Sequence, residues 1–150
     1  AMQTISVPEM LRRAAEDAAR SGAVAEVETP DDLNMLARPL AFRRAINNLV
    51  GNAASHGEKV RLSARPLPSG GLEIVVEDDG PGIPDDMHEE AFRPFSRLDA
   101  SRNQNRKGVG LGLAVARDVA RGHGGDIILG RSDLGGLKAS IRLPADRRAA

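Results

Sequence analysis

The feature that most constrains the fold is a run of apolar residues at three- and four-residue spacing across residues 40–56. This spacing places the apolar side chains on one face of an α-helix, and Gly57 supplies the expected end of that helix. A helix with one apolar face has to bury it against a second layer of structure. The apolar positions are Phe42, Ala45, Ile46, Leu49, Val50 and Ala53.

Other segments predict that second layer, because they alternate apolar and polar residues as half-buried strands do. Turn sequences join the last four of these strands into two hairpins, and the second strand is expected to pair with the first. The predicted strands cover residues 23–28, 33–37, 60–65, 72–77, 126–131 and 137–143. Two further helices are predicted over residues 8–21 and 111–122.

The 150 residues are therefore predicted to form one α+β domain, a two-layer α/β sandwich with about three helices on one face of a mixed sheet. The core must be aliphatic, because the chain has 3 Phe and neither Trp nor Tyr. The absence of Cys excludes disulfides and thiolate metal sites, and the net charge of +0 argues against a nucleic-acid partner. Residues 1–3 are expected to be a tag remnant or linker. Neither a signal peptide nor an apolar run of about 20 residues is visible.

Two asparagines lie one helical turn apart on the predicted helix at 40–56. Asn48 and Asn52 share one face of that helix, beside its apolar stripe. A carboxamide oxygen is a hard, neutral ligand that can coordinate Mg²⁺ without repelling the phosphates of a nucleotide. Taken alone, the pair is better explained by a capping or loop-bridging role.

The sequence VVEDDGPGIP at residues 75–84 runs out of a predicted strand into a tight turn. A carboxylate at this point can accept a hydrogen bond from an exocyclic amine such as that of adenine. Gly80 and Gly82 permit positive φ and the close approach of a flat base to the backbone. The alternative interpretation is an acidic turn in which glycine and proline act only as breakers.

The sequence GVGLGLAVA at residues 108–116 opens the last predicted helix, where backbone N–H groups form an anion site. It follows no strand and contains no Walker motif, so neither a dinucleotide fold nor a P-loop is indicated. The alternative is a flexible hinge before a helix. The preceding residues 85–107 are polar, and their basic side chains include candidate phosphate contacts. These basic residues are Arg93, Arg97, Arg102, Arg106 and Lys107.

The order of these motifs resembles the catalytic ATP-binding (HATPase_c) domain of bacterial sensor histidine kinases, a branch of the GHKL superfamily with the Bergerat fold. NNLVGNAASHG at 47–57 is similar to its N box, and DDGPGIP at 78–84 to its G1 box. AFRPFSR at 91–97 is similar to the F box, and the segment at 108–116 to the G2 box. The resemblance covers residues 4–144 and is strongest to the EnvZ-like osmosensor branch.

The resemblance implies that Mg²⁺ and ATP are the cofactors. It assigns the metal to Asn52, catalytic roles to Asn48, Asn52 and Arg97, and the adenine amine to Asp78. Phe92 and Phe95 would anchor a lid at residues 96–107 that orders when ATP binds. The nucleotide contacts implied are Asn48, Asn52, His56, Asp78, Gly80, Gly82, Ile83, Arg97, Lys107, Gly108, Val109, Gly110, Leu111, Gly112 and Leu113.

Three positions depart from the family pattern. His56 replaces a frequent Tyr, Ser55 a common Lys, and Lys138 stands where a small hydroxyl residue supports the adenine carboxylate. His88 and His123 are expected at the surface. The pair His88–Glu89 matches the family's phosphoacceptor motif but follows the G1 box, so it is interpreted as coincidental.

The implied activity is transfer of the γ-phosphate of ATP to a histidine on a separate dimerisation domain, in two-component signalling. The implied partners are that domain and, indirectly, a response regulator. The parent is expected to be a homodimeric inner-membrane sensor, and this cytoplasmic domain a monomer. Other GHKL ATPases carry a Glu in the N-box helix as general base, whereas residues 43–51 contain none. An ATP-binding interaction module without kinase activity is the remaining alternative.

Overall fold

The computed structural model describes residues 1–94 and 112–149 of the chain. Within them, the α-helices are α1 (Val7–Arg20), α2 (Pro39–His56), α3 (His88–Ala91) and α4 (Gly112–Gly122). The strands are β1 (Gln3–Ser6), β2 (Val24–Glu28), β3 (Asn34–Ala37), β4 (Lys59–Pro66), β5 (Leu72–Asp78), β6 (Asp126–Arg131), β7 (Leu137–Leu143) and β8 (Arg148–Ala149). Short 3₁₀ turns cover Asp85–Met87 and Ala145–Arg147.

The main sheet has five strands in the order β2-β4-β5-β7-β6. β2 runs parallel to β4, and the other neighbours are antiparallel. Helices α1, α2 and α4 pack against one face of this sheet. The predicted two-layer α+β sandwich is therefore confirmed. The face of the sheet that these helices cover is called the inner face, and the opposite one is the outer face.

The core between the two layers is aliphatic, as the composition requires. Phe42 of α2 is fully buried there among branched side chains such as Leu62, Ile74 and Ile141. Along each strand, alternate residues enter this core, so Leu72, Ile74 and Val76 of β5 face inward. Glu73, Val75 and Glu77 face outward, yet every residue of this central strand is buried.

A second, three-stranded sheet has the order β1-β3-β8. The expectation that β3 pairs with β2 is therefore wrong, because β3 pairs antiparallel with β1 in the register Ile5 opposite Met35. The sequence did not predict β1 and β8. Strand β8 contains only two residues, and the four residues of β1 run directly into α1 with no turn sequence between them.

The structure also corrects the expectation that His123 lies at the surface, since the residue is only 1% exposed. Its Nδ1 donates to the carbonyl of Val119 at 2.7 Å, and its Nε2 accepts the N–H of Arg38 at 3.1 Å. The ring also meets Phe42 edge-on, with 5.2 Å between centroids. Both ring nitrogens are thus satisfied, which allows a polar side chain to tie the end of α4 to the start of α2. Within the described residues, no helix combines the length and the apolar character needed to cross a membrane.

Candidate functional site

The site is centred on the carboxylate with which β5 ends. Asp78 is 1% exposed, and its Oδ1 accepts hydrogen bonds from the backbone N–H groups of Gly80 at 2.9 Å and Leu137 at 3.2 Å. A buried carboxylate is tolerated only where donors replace the water it has lost. Because these donors belong to the backbone, they fix the position of the carboxylate rigidly.

Glycines surround this carboxylate because the backbone segments approach too closely for a side chain. A Cβ at Gly136 would overlap Asp78 Oδ1 and lie 2.6 Å from the Asp78 carbonyl oxygen. A Cβ at Gly80 would lie 2.6 Å from the carbonyl oxygen of His56. Gly82, with φ of +72°, adopts a backbone conformation that favours glycine and packs against Gly136. The turn after β5 is thus pressed between the end of α2 and the hairpin of β6 and β7.

A second carboxylate fastens the end of α2 to this turn. Asp79 Oδ1 accepts the backbone N–H groups of Glu58 at 2.8 Å and Lys59 at 3.0 Å. These hydrogen bonds, that of Lys59 first, hold the pKa of the Asp79 carboxyl below its ordinary value. Gly57 lies directly against Asp79, where a Cβ would meet the carboxylate at 2.5 Å. The predicted N and G1 boxes are therefore joined by backbone contacts.

The two asparagines of α2 occupy adjacent turns of the helix, as their spacing predicts. Asn52 is 7% exposed and Asn48 is half-buried, whereas the neighbouring Asn47 is exposed. The carbonyl oxygen of Asn48 faces the first residue of α4, since a Cβ at Gly112 would lie 3.9 Å from it. The N-box helix thus touches the turn after β5 at its end and α4 about two turns earlier.

Arg117 of α4 links that helix to α3, a contact that sequence reasoning missed. Its guanidinium lies 4.1 Å from the ring centroid of Phe92 and forms an ion pair with Glu89 at 2.8 Å. The signal available in the sequence is its position one turn after Leu113, on the buried side of the helix. The contact fixes Phe92, the first Phe of the predicted F box, against α4.

His88, expected at the surface, is half-buried, and its Nε2 donates to the carbonyl of Ile83 at 3.1 Å. It helps to fix the turn after β5. Ile83 is itself buried next to this turn.

Among the predicted site residues, the contacts above bring His56, Asp78, Gly80, Gly82 and Ile83 together at the turn after β5 and place Asn48 next to Gly112. Asn52 lies between these two places on α2. Leu113 is fully buried in the core of the domain. Outside the described residues lie Phe95, Arg97, Lys107, Gly108, Val109, Gly110 and Leu111, together with the proposed lid at 96–107.

The expectation that Lys138 stands next to the adenine carboxylate is wrong. Lys138 lies opposite Glu77 in the register of β5 and β7, so its side chain belongs to the outer face of the sheet. The residue that contacts Asp78 is its neighbour Leu137, through a backbone N–H that any residue type except proline supplies. A substitution at position 138 therefore leaves this hydrogen bond in place.

Comparison with known proteins places these features in a family. The sequence profile described as histidine kinase-, DNA gyrase B- and HSP90-like ATPase matches residues 37–147. The chain is 45% identical over 107 residues to the sensor histidine kinase GtrS of Pseudomonas aeruginosa, covering 71% of this chain and 22% of that protein. It is 37% identical over 145 residues to the sensor-type histidine kinase PrrB of Mycobacterium leprae, covering 94% of this chain and 32% of that protein.

Solved structures agree with these sequence matches. The crystal structure of the ATP binding domain of PrrB from Mycobacterium tuberculosis superposes with a TM-score of 0.76 at 30% identity. The match covers 95% of this chain and 96% of that one. The chain spans less than two thirds of the length of its full-length relatives, 22% of GtrS and 32% of PrrB.

Proposed function

This chain belongs to the histidine kinase-, DNA gyrase B- and HSP90-like ATPase family, and on that premise we propose that it binds Mg·ATP and delivers the γ-phosphate to a histidine on a separate helical dimerisation domain. The observation that carries the proposal is the buried carboxylate of Asp78 among glycines that admit no side chain. Such a surface accepts a flat base and offers it an acceptor. Residues 1–150 act, in this proposal, as one catalytic domain.

Asp78 would select adenine over guanine. The exocyclic amine of adenine is a hydrogen-bond donor, whereas guanine presents a carbonyl oxygen at the same position. Two like acceptors facing each other in a buried site cost free energy, because neither is then satisfied. The backbone donors Gly80 and Leu137 hold the carboxylate in one orientation, so it cannot turn away from the wrong base.

The carboxamides of α2 fit a metal that is shared with phosphate oxygens. Asn52 is nearly buried and lies one turn from Asn48, so both side chains come from a rigid helix rather than a loop. Bound Mg²⁺ would neutralise phosphate charge during transfer. We propose Asn52 as its protein ligand, with Asn48 beside the phosphates.

Further phosphate contacts are proposed for the segment that leads into α4. They are Arg97, Lys107, Gly108, Gly110 and Gly112, of which Gly112 alone belongs to the described residues. In this proposal Gly112 faces the N-box helix at Asn48, so phosphates bound at the start of α4 would lie near the carboxamides.

The partners in this proposal are the parent's own dimerisation domain and, through it, a response regulator. The chain would then be the cytoplasmic catalytic part of a homodimeric inner-membrane sensor and a monomer by itself. Other ATPases of the family use a Glu of the N-box helix as general base; residues 43–51 lack one, which favours transfer to an imidazole over hydrolysis.

Calorimetric titration tests the nucleotide site. ATP is expected to bind the isolated chain at least about tenfold more tightly than GTP, since an unsatisfied buried acceptor costs about 1–3 kcal/mol. Equal affinities for ATP and GTP would contradict the adenine role of Asp78.

The magnesium site needs a separate titration with a matched control. Asn52→Ala is expected to make ATP affinity nearly independent of Mg²⁺, while Asn47→Ala keeps the dependence because Asn47 is exposed on the same helix. If both variants gain as much from Mg²⁺ as the wild type, the metal lies elsewhere.

Phosphotransfer is tested with a dimerisation domain supplied in trans. Acid-labile phosphate is expected on that domain and not on this chain. Phosphate on this chain alone, lost in His88→Ala, would show that the acceptor is His88.

A further inference from the structure

We propose that Ser132 and Glu77 are positioning residues that orient the adenine-binding carboxylate of Asp78 from the opposite face of the sheet. The inference rests on the proposed function and concerns the turn between β6 and β7, residues 132–136, here called the hairpin turn. This turn carries the last contacts before Leu137, whose backbone N–H donates to Asp78.

The hairpin turn is organised around Ser132, which is 3% exposed. Its backbone N–H donates to the carbonyl of Gly136 at 2.8 Å, and its carbonyl accepts the N–H of Gly135 at 3.0 Å. Its Oγ accepts the N–H of Leu134 at 3.0 Å. The hydroxyl group and both backbone polar groups of one residue therefore define the path of the whole turn.

The outer face of the sheet holds this turn through charged side chains. Ser132 Oγ donates to Glu77 Oε1 at 3.0 Å. Arg61 donates to both carboxylate oxygens of Glu77, each at 3.0 Å, and to Asp133 Oδ1 at 2.6 Å. Hydrogen bonds from Arg61 to Glu77 and Asp133 raise the pKa of the guanidinium above its ordinary value, so it stays charged. Glu77 is 5% exposed, which shields this network from water.

A backbone hydrogen bond to Asp78 holds the other end of the same turn. The N–H of Gly136 donates to the carbonyl oxygen of Asp78 at 3.1 Å, one residue before Leu137 donates to the carboxylate. Glu77 and Asp78 are consecutive in β5, so they project to opposite faces of the sheet. The hairpin turn is thus attached to two adjacent residues of one strand, to the side chain of Glu77 on the outer face and to the backbone of Asp78.

This arrangement couples the outer network to the direction of the Leu137 N–H. If Ser132 loses its hydrogen bond to Glu77, the hairpin turn keeps its backbone hydrogen bond to Asp78. It is then no longer held in position by the charged side chains of the outer face. A small shift of the turn lengthens a hydrogen bond that is already 3.2 Å long, and hydrogen bonds weaken steeply with distortion. The carboxylate then holds adenine less well, whereas the remainder of the nucleotide is unaffected.

The test compares ATP with purine riboside triphosphate, which has hydrogen in place of the exocyclic amine. Calorimetry on the full chain is expected to show that Ser132→Ala lowers ATP affinity about three- to tenfold, the scale of one lost hydrogen bond. Affinity for the analogue is expected to change less than about twofold, since the analogue makes no bond to Asp78. Ser132→Thr keeps the hydroxyl and is expected to restore ATP binding.

Ser140→Ala is the matched control. Ser140 is a buried serine of β7 on the same outer face, opposite Val75 and away from the hairpin turn. Equal losses for ATP and the analogue in Ser132→Ala, or the same ATP loss in Ser140→Ala, would show a merely structural role and overturn the inference.

Two further measurements keep the inference separate from the proposed function. In an Asp78→Asn background, Ser132→Ala is expected to cause no additional loss of ATP affinity, because both changes act on one contact. If Ser132→Ala does not fold, Glu77→Gln provides a second variant, because it preserves the shape of the side chain. It is likewise expected to lose more affinity for ATP than for the analogue. If the wild type binds ATP more tightly than the analogue and the variants show the same ratio of affinities, this inference alone is overturned. If the wild type binds ATP and the analogue equally well, both this inference and the proposed adenine role of Asp78 are overturned.

Discussion

Three carboxylates of the central strand β5 are almost fully buried, and they are held in two different ways. Glu73 and Glu77 face outward and accept hydrogen bonds from guanidinium groups, Glu73 from Arg65 and Arg142. Asp78 faces inward at the end of the strand and accepts hydrogen bonds from backbone N–H groups.

The difference separates a structural carboxylate from one suited to a ligand. Burial raises the pKa of Glu73, but the hydrogen bonds and charges of Arg142 and Arg65 outweigh it, so the pKa lies below its ordinary value. These cations are long and flexible, and they stabilise the sheet from its solvent side. At Asp78, backbone N–H groups from two segments fix the carboxylate, and glycines let those segments approach it closely.

The largest expected effect comes from filling the space on the inner side. Gly136→Ala places a methyl group 2.6 Å from both the Asp78 carbonyl oxygen and the Gly80 nitrogen, so backbone has to move. The unfolding free energy is expected to fall by about 3 kcal/mol, the upper end of the usual cost of overpacking, and nucleotide binding should be lost.

Gly130→Ala is the matched control, because Gly130 lies opposite Lys138 on the outer face with no atom within 4 Å of the added Cβ. Denaturant titration should show it unchanged or more stable by less than about 1 kcal/mol. Similar losses in both variants would mean that the crowding at Asp78 is not what distinguishes the two faces.

The next effect separates the carboxylates by function. Asp78→Asn is expected to weaken ATP binding by about 10- to 100-fold, since a hydrogen bond to a charged group contributes about 1.5–3 kcal/mol. Glu73→Gln, an equally conservative change on the same strand, should leave ATP affinity within about twofold. It should lower the free energy of unfolding by only about 1 kcal/mol, because its partners Arg65 and Arg142 are more than half exposed. Calorimetry gives the ATP affinity of each variant, and denaturant titration gives its free energy of unfolding. A comparable loss of ATP affinity in Glu73→Gln would remove the distinction between the structural carboxylate and the ligand-binding one.

Much of this molecule was predictable from its sequence because long elements display their periodicity. The helices at 8–21 and 40–56 and the hairpin strands at 126–131 and 137–143 are confirmed to within a residue or two at each end. The resemblance to sensor histidine kinases is also confirmed, because it rests on four motifs in a fixed order.

The remaining features depend on contacts between segments far apart in the chain. His123 is polar, and only the fold supplies the N–H of Arg38, 85 residues away, that permits its burial. The family pattern puts Lys138 on the wrong face, although the alternation of apolar and polar residues along β7 already directs it outward. Asp79 clamps Glu58 and Lys59 through backbone groups, which leave no trace in side-chain patterns.

A smaller effect concerns acid stability. The pKa values of Glu73, Asp79 and Asp126 all lie below their ordinary values. A lowered folded-state pKa gives stability that is present above the unfolded pKa and is lost as pH falls towards the folded one. The wild type should therefore lose stability below about pH 5, and its advantage over Glu73→Gln should shrink across the same range, because glutamine does not titrate. Denaturant titrations between about pH 7 and pH 3 provide the measurement; a constant difference would show that the Glu73 carboxylate contributes no proton-linked stability.

The smallest expected effect is at Lys138, and it tests which face of β7 the site uses. Family resemblance alone suggests that Lys138→Ser would strengthen ATP binding by restoring a hydroxyl beside the adenine carboxylate. The structure predicts no change beyond about twofold, because Lys138 projects from the outer face opposite Glu77 and the bond to Asp78 comes from the Leu137 backbone. Leu137→Ser is the matched variant, because position 137 faces inward. It keeps the backbone N–H and adds a hydroxyl on the side of Asp78. The loss of a buried leucine is expected to lower the free energy of unfolding by about 2–5 kcal/mol. Both variants are measured for ATP affinity and for the free energy of unfolding. These values test whether residue 137 lies on the inner face of the sheet and residue 138 on the outer face. An increase in ATP affinity for Lys138→Ser would mean that the side chain at position 138 moves to the inner face of the sheet when nucleotide binds.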